Sequence, residues 1–298
     1  MPIQGAAVSR RLKDHALLHV VVLIFGFTGI LGKLISVESA PLVWYRMLIA
    51  VAAIGVYLAW RRRPMRLPRG GVRWTVITGL IVAVHWICFF ESIKQSTVSI
   101  ALVCLSTGTF FTSLIEPVIF RRGLRPYEML LGVLTVFGIF FVFRFESGYK
   151  IGILYGLAAS LLGALFTVIN GKLVVLYDSR TISLYELASG FVGVSAYLLL
   201  MARPGLDALA LSRSDLGYLL VLGVVCTAFA FVGSIHVMRS LSPFTVVLTI
   251  NLEPIYGILL ALLIFGESEY MTPGFYAGAG VILLSIWANA VMKRRAGA

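Results

Sequence analysis

Charge is what this chain has least of. Only 13% of its 298 residues are charged, against 59% hydrophobic, and the mean hydropathy is +0.96. A water-soluble domain carries about 25% charged residues, so a soluble globular protein is excluded. Cysteine is scarce too. Cys88, Cys104 and Cys226 all lie inside apolar runs, an arrangement that supports packing rather than a disulfide framework or a metal site. The signatures of catalysis are missing: there is no Walker motif, no G-x-S-x-G, no H-E-x-x-H and no acid pair at catalytic spacing. ATP hydrolysis and intramembrane enzyme chemistry therefore lack the residues to carry them, and no cofactor is expected. Long polar stretches are absent as well. The longest connections, around 61–73 and 202–214, leave no room for a soluble domain.

What is present is apolar sequence in long, unbroken runs. A bilayer core about 30 Å thick needs roughly 20 apolar residues per helix. Ten runs approach that length: 15–35, 41–60, 74–93, 97–120, 126–143, 151–176, 182–201, 215–237, 243–265 and 273–292. Their continuity excludes β-barrel strands, which alternate. The first run follows Arg10, Arg11 and Lys13 but continues through Lys33 without a small-x-small cleavage site, so it reads as a retained helix rather than a signal peptide. The expected fold is an all-α membrane protein of ten transmembrane helices.

The net charge of +12 invites a nucleic-acid partner, but the distribution of the cations argues against one. With the N-terminus inside, the seventeen cations at 10–13, 61–73, 121–125, 180, 239 and 293–295 fall on the cytoplasmic side. The other side keeps Lys94, Arg144, Lys150, Arg203 and Arg213. That asymmetry is the positive-inside rule. It predicts a multi-pass protein of the cell membrane, a bacterial inner membrane, with both termini cytoplasmic and the lipid bilayer as its main partner.

One segment occurs twice. Phe27, Thr28, Gly32 and Lys33 of "LIFGFTGILGKL" recur as Phe166, Thr167, Gly171 and Lys172 of "GALFTVINGKLV", at a constant shift of 139 residues. Five helices separate the copies, so the second crosses in the opposite direction. Two inverted five-helix repeats, 1–147 and 148–298, follow, which is the architecture of secondary transporters with a midplane site.

The motifs "FGFTGILGK", "VWYRMLIA" with Arg46, and "NLEPIYGILLALLIFGESEYMTPGFYAGAGVIL" from Asn251 to Leu283 resemble the drug/metabolite transporter superfamily, in particular its EamA-like ten-helix branch. The resemblance covers essentially the whole chain. It implies a central cavity lined by the first four helices of each half, with the fifth and tenth packing outside. The first half departs from the pattern: Glu116 and Pro117 lie later in their helix than Glu253 and Pro254, and no Gly-Glu precedes the fifth helix.

Ionisable residues inside a bilayer are costly and face the protein interior or a water-filled cavity. Here they are Lys33, Arg46, His85, Glu91, Glu116, Lys172, Glu186 and Glu253. Glu253 stands out. Thr245, Thr249, Glu253 and Tyr256 follow helical spacing, and Pro254 deprives the carbonyl of Ile250 of its donor beside the carboxylate. The residue is expected to exchange a coupling proton or hold a cationic group, against the plainer role of a hydrogen-bonded tie between helices. Ser106, Thr109, Ser113 and Glu116 make a similar stripe, with Glu116 able to pair structurally with Arg121 or Arg122 instead. His85 shares a face with Thr78 and Ser92 and could carry protons or simply pack. Trp86 and Phe89 offer stacking surface. Arg46 could clamp an anion with its fork or snorkel to the interface. Asn251, Thr28 and Thr167 complete the candidate binding set. Similar depths suggest two gates, Lys33 with Glu91 and Lys172 with Glu116. Gly26, Gly29 and Gly32 are expected to permit close helix approach.

The function these residues predict is secondary transport, with export as the expected direction, of a small polar or amphipathic metabolite such as an amino acid. An importer or exchanger of a nucleotide-like or phosphorylated solute is the alternative, and a channel or non-transporting receptor the rival class. Cargo identity, coupling ion, flux direction and oligomeric state are not encoded in any motif.

Overall fold

The computed structural model describes residues 2–63, 65–121, 123, 126–202, 205 and 209–295. Arg122, Arg125 and Arg203 lie outside the described residues. Among those described there is no β-strand. The chain runs as α1 (Pro2–Leu34), α2 (Ser39–Trp60), α3 (Arg69–Gln95), α4 (Val98–Leu105), α5 (Gly108–Phe120), α6 (Pro126–Phe145), α7 (Lys150–Leu176), α8 (Ser179–Tyr197), α9 (Arg213–Gly223), α10 (Ala230–Val237), α11 (Pro243–Ile250), α12 (Glu253–Phe265) and α13 (Pro273–Arg295). A π-helical segment, Val224–Phe229, joins α9 to α10, and a second, Leu198–Ala202, extends α8.

Among the described residues, eight helical stretches are long and apolar enough to cross a membrane, and two shorter apolar helices accompany them, Leu130–Phe145 and Pro273–Ser285. Their outer faces are greasy (Val133, Phe137, Leu263 and Trp287 are all exposed), which suits lipid rather than water.

Two crossings are interrupted in the same way. The stretch 98–120 consists of α4, with 8 residues, and α5, with 13, broken at Ser106 and Thr107. The stretch from Pro243 consists of α11, with 8 residues, and α12, with 13, broken at Asn251 and Leu252. The chemistry of the two breaks differs. Pro254 has no N–H, so the Ile250 carbonyl loses its partner and α11 ends there. At the break at Ser106 and Thr107 no proline is present, and hydroxyls add bonds to the carbonyls before it: Ser106 Oγ donates to Leu102 O at 3.2 Å and Thr107 Oγ1 to Cys104 O at 2.7 Å. Pro117 sits inside α5 without ending it.

Each broken crossing starts at a hydroxyl cap, Thr97 accepting from Ile100 N and Ser242 from Thr245 N, both at 3.2 Å. Each is also capped by a carboxylate from the other. Glu269 Oε1 accepts from Val98 N (3.1 Å), and its Oε2 accepts from Ser99 N (3.0 Å) and Ser99 Oγ (2.8 Å). Glu116 Oε2 accepts from Phe244 N at 3.1 Å. The bundle thus has a Glu269 end and a Glu116 end. Close approach is enabled by glycines: a Cβ on Gly29 would lie 2.9 Å from Val98 Cγ1, and Gly32 and Gly171 pack directly against Phe90 and Pro243.

Candidate functional site

A cavity with about 880 Å³ of empty space, part of it open to solvent, lies between the helices. Phe25 and Thr28 of α1, Arg46 of α2, and His85, Trp86 and Phe89 of α3 form one wall. Leu105 and Gly108 flank the first break, and Ile250, Asn251 and Glu253 flank the second. The stretches 160–167 of α7 and 231–238 around α10 complete it. None of the lining comes from α6, α8 or α13 among the described residues. The outer position implied for the fifth and tenth runs therefore agrees with the lining, whereas the seventh run, α8, does not reach the cavity.

The cavity sits toward one end. It reaches Met238, one residue past the end of α10, and Val246, in the first turn of α11, both at the Glu116 end. Toward the Glu269 end the lining stops at Leu105, seven residues into α4 from Val98, roughly 10 Å at the helical rise.

Arg46 is the centre of the polar wall. It is 1% exposed, so it does not snorkel. Its Nε donates to Thr227 Oγ1 at 2.6 Å and its guanidinium lies 3.8 Å from the Trp86 ring centroid. Thr227 sits in the π-helical segment and returns its own proton to Leu222 O at 2.7 Å. Here π-geometry turns Thr227 toward Arg46, a use of π-bulges common at functional sites. Nη1 of Arg46 is buried without a hydrogen-bond partner. Leaving a charged donor orphaned is expensive, which makes that atom a candidate contact for something not present. Glu253, buried, lines the same cavity, and no ion pair within 4.0 Å joins the two.

His85 Nδ1 lies 2.6 Å from Ala159 O, so Nδ1 carries a proton and Nε2 is left for other partners. Its ring packs edge-on to Phe166 at 5.2 Å, in space left by Gly163. Trp86, besides carrying Arg46, meets Phe231 edge-on at 5.6 Å. Asn251 Nδ2 donates to Thr109 Oγ1, which ties the two breaks together. Thr28 and Thr167 both line the wall, with the Thr167 hydroxyl bonded to Gly163 O at 2.7 Å.

Several expectations need correction. Thr245, Thr249 and Tyr256 do not line the cavity. Tyr256 is 39% exposed, and Thr249 Oγ1 is spent on Thr245 O at 2.9 Å. The break at Asn251 rephases the crossing, so a stripe counted at constant helical spacing misses the true face of Val246, Val247, Ile250 and Glu253. Ser106, Thr109, Ser113 and Glu116 likewise lie off the lining, as do Thr78 and Ser92, whose hydroxyls bond to Trp74 O and Gly152 O.

The expected gate pairs are not paired with each other in this structure. Lys33 Nζ pairs with Glu269 Oε1 at 2.8 Å, while Glu91 accepts from Ser39 Oγ at 2.7 Å and from Gln95 Nε2 at 2.8 Å. Lys172 Nζ sits over the Phe120 ring at 5.4 Å, and Glu116 caps α11. Glu269 was missed because Gly266, at φ +58°, turns the chain back over the end of α12 into a 3₁₀ turn, and no periodicity encodes such a return. The Gly266–Glu267 pair just before it was the available signal.

The model of the EamA-like transporter family matches residues 14–144 and again 150–291. An uncharacterized transporter of Archaeoglobus fulgidus is 24% identical over 285 residues, covering 91% of this chain and 94% of its own length. Uncharacterized transporters of Clostridium kluyveri and of Bacillus subtilis, the latter named YxxF, are each 21% identical and cover 86% and 99% of this chain. A solved structure superposes with a TM-score of 0.70 at 15% identity over 96% of this chain and 99% of that one, a likeness of fold.

Proposed function

Since the chain belongs to the EamA-like transporter family, we propose that it is an alternating-access carrier, not an enzyme, that exports a small amphipathic metabolite such as an amino acid through the cavity of Arg46 and Glu253. The observation that carries this reading is the pair of opposite charges lining one cavity: a buried guanidinium with an unpartnered Nη1, and a buried carboxylate with which it forms no ion pair. A zwitterion answers both. Its carboxylate meets Arg46 Nη1, its ammonium meets Glu253, and its side chain rests among Phe25, Phe89, Phe166 and Phe231. Desolvated groups of this kind discriminate by being unpaired when the wrong cargo binds.

The parallel breaks and parallel caps support two inverted five-helix repeats, 1–147 and 148–298, making ten crossings. The cation asymmetry supports a cytoplasmic Glu116 end, with both termini on that side of a bacterial inner membrane. In that orientation the structure is an inward-facing state. Lys33 and Glu269 close the outer end, and transport swaps that closure for one at Lys172 and Phe120.

A phosphorylated or nucleotide-like solute would need a second cation at Arg46. His85, whose Nδ1 is bonded to Ala159 O, would have to provide it, so the zwitterion is favoured. The test is radiolabelled counterflow in proteoliposomes, preceded by a thermal-shift screen, because a ligand stabilises the state it binds. Amino acids should stabilise the protein and exchange. Stabilisation by phosphorylated solutes alone would replace the cargo class, and flux without counterflow would indicate a channel.

A further inference from the structure

Arg46 has a positional counterpart that the cavity does not use. It is the eighth residue of α2, preceded by Tyr45, and Glu186 is the eighth residue of α8, preceded by Tyr185. Glu186 and its neighbour Asn170 of α7 are both 0% exposed. A single hydrogen bond joins them, Asn170 Nδ2 donating to Glu186 Oε2 at 3.2 Å. Glu186 Oε1 and Asn170 Oδ1 are both buried without a partner.

The pair is one proton short. Two buried acceptors, Glu186 Oε1 and Asn170 Oδ1, are left without a donor once the amide has given its N–H to Oε2. An orphaned buried acceptor is costly, and an unpaired buried carboxylate costs more. A proton on Oε1 removes both deficits, because a protonated carboxyl donates. The O–H then serves Asn170 Oδ1 while the amide N–H serves Oε2, closing a cyclic acid–amide pair. A cation would be the other remedy, and none is placed to act. The charged and titratable groups on the helices packed against α8 have other partners or settings. On α2, Arg46 is bound to Thr227 and Trp86, and Arg180 of α8 lies near Tyr57. On α3, His85 is bound to Ala159, Glu91 to Ser39, and Lys94 to Ile35 O, while Arg69 and Arg73 stand near the start of the helix. On α7, Lys172 lies over Phe120, and Lys150 and Tyr155 belong to the opposite end. Tyr45 of α2, Cys88 of α3, His236 of α10 and Tyr185 and Tyr197 of α8 complete the set. Among the described residues none makes an ion pair with Glu186.

We propose that Glu186 and Asn170 form a proton-binding site, occupied in this conformation and separate from the cargo cavity. Its link to the cavity is α7. Thr167, one turn before Asn170, lines the wall, and Gly171, next to Asn170, packs on Pro243 at the start of the α11 crossing. Any shift of α7 that closes the Glu116 end moves the Asn170 amide relative to Glu186, breaks the cyclic pair and frees the proton to water. The proton-binding site stands on the hydrogen-bond count. Only its role in driving transport rests on the carrier reading.

Infrared difference spectra between H₂O and D₂O, taken on purified wild-type protein in liposomes at neutral pH, read the proton directly. We expect a protonated-carboxyl C=O band that vanishes in Glu186→Gln and persists in Glu253→Gln. Asn170→Leu should retain the band at a shifted frequency, since the carboxyl loses its amide partner, and this variant decides the matter if Glu186→Gln fails to fold. A band indifferent to both Glu186→Gln and Asn170→Leu overturns the site. Counterflow of a radiolabelled mixture of the twenty amino acids separates the two readings. If wild-type protein exchanges them, Glu186→Gln should keep exchange at equal pH and lose acceleration by a pH gradient, and retained acceleration rejects the coupling role. If the band behaves as expected but wild type exchanges nothing, the proton site stands and the amino-acid reading falls.

Discussion

Lys33 and Lys172 occupy matching places at opposite ends of the bundle and meet different surroundings. Lys33 Nζ lies 4.4 Å from the ring of Phe265, the last residue of α12, and Lys172 Nζ lies 5.4 Å from the ring of Phe120, the last residue of α5. Beyond that the likeness ends. Lys33 also bonds Glu269 at 2.8 Å, and Glu269, wholly buried, holds the first two N–H groups of α4. Lys172 is exposed, makes no ion pair among the described residues, and stands beside the end to which the cavity extends. The same motif therefore appears once latched and once unlatched. One sequence element thus stands at two ends of the bundle in two settings, and the difference between them is a single carboxylate that engages Lys33 and not Lys172.

The largest break in this comparison should come from Glu269→Ala. It strips the cation and three α4 donors of a buried partner at once, and removing one partner of a buried pair costs about 3–5 kcal/mol. A drop of that size in denaturant or thermal stability, with no comparable drop in Lys172→Gln, is the expected result. Second is Glu253→Gln, which keeps shape and hydrogen bonding while removing the charge. Exchange of an amino-acid cargo should fall about tenfold or more, matching roughly 1.4 kcal/mol. Arg46→Lys belongs beside it, since an ammonium cannot both bond Thr227 and stack on Trp86. Third, Lys33→Gln and Glu269→Gln combined should be non-additive in exchange rate by about 0.5–3 kcal/mol, whereas Lys33→Gln with Glu91→Gln should be additive. Smallest is Lys172→Gln, where only an exposed cation–π contact is lost, about 0.5–1 kcal/mol.

How much of this the sequence foretold depends on the kind of residue. Burial of a charged side chain is legible from an apolar run, and Arg46, His85 and Glu253 were found that way. The recurring glycine of the two like segments has a physical reason, since Gly32 and Gly171 each sit against a side chain with no room for a Cβ. Facing was not legible past a break. Once Asn251 and Leu252 leave the helix, the count restarts, and Tyr256 was assigned to the wrong side. Pairing across long separations was not legible either. Lys33 reaches Glu269, 236 positions away, through a glycine turn, and Thr227 reaches Arg46 through a π-helical segment that no hydropathy pattern marks.

The central claim is that the cavity opens to one face only while the Lys33–Glu269 latch is engaged. Ser234, which lines the cavity, is the site to report it. With Cys88, Cys104 and Cys226 replaced by alanine, Ser234→Cys in oriented vesicles is exposed to a membrane-impermeant thiol reagent from each face in turn, with cysteines at Gly70 and Ser147 marking the two faces. Reaction from the face of Gly70 alone, and from both faces or the Ser147 face once Glu269→Gln is added, is the predicted result. Equal reaction from both faces with Glu269 intact, or indifference to its loss, contradicts the account.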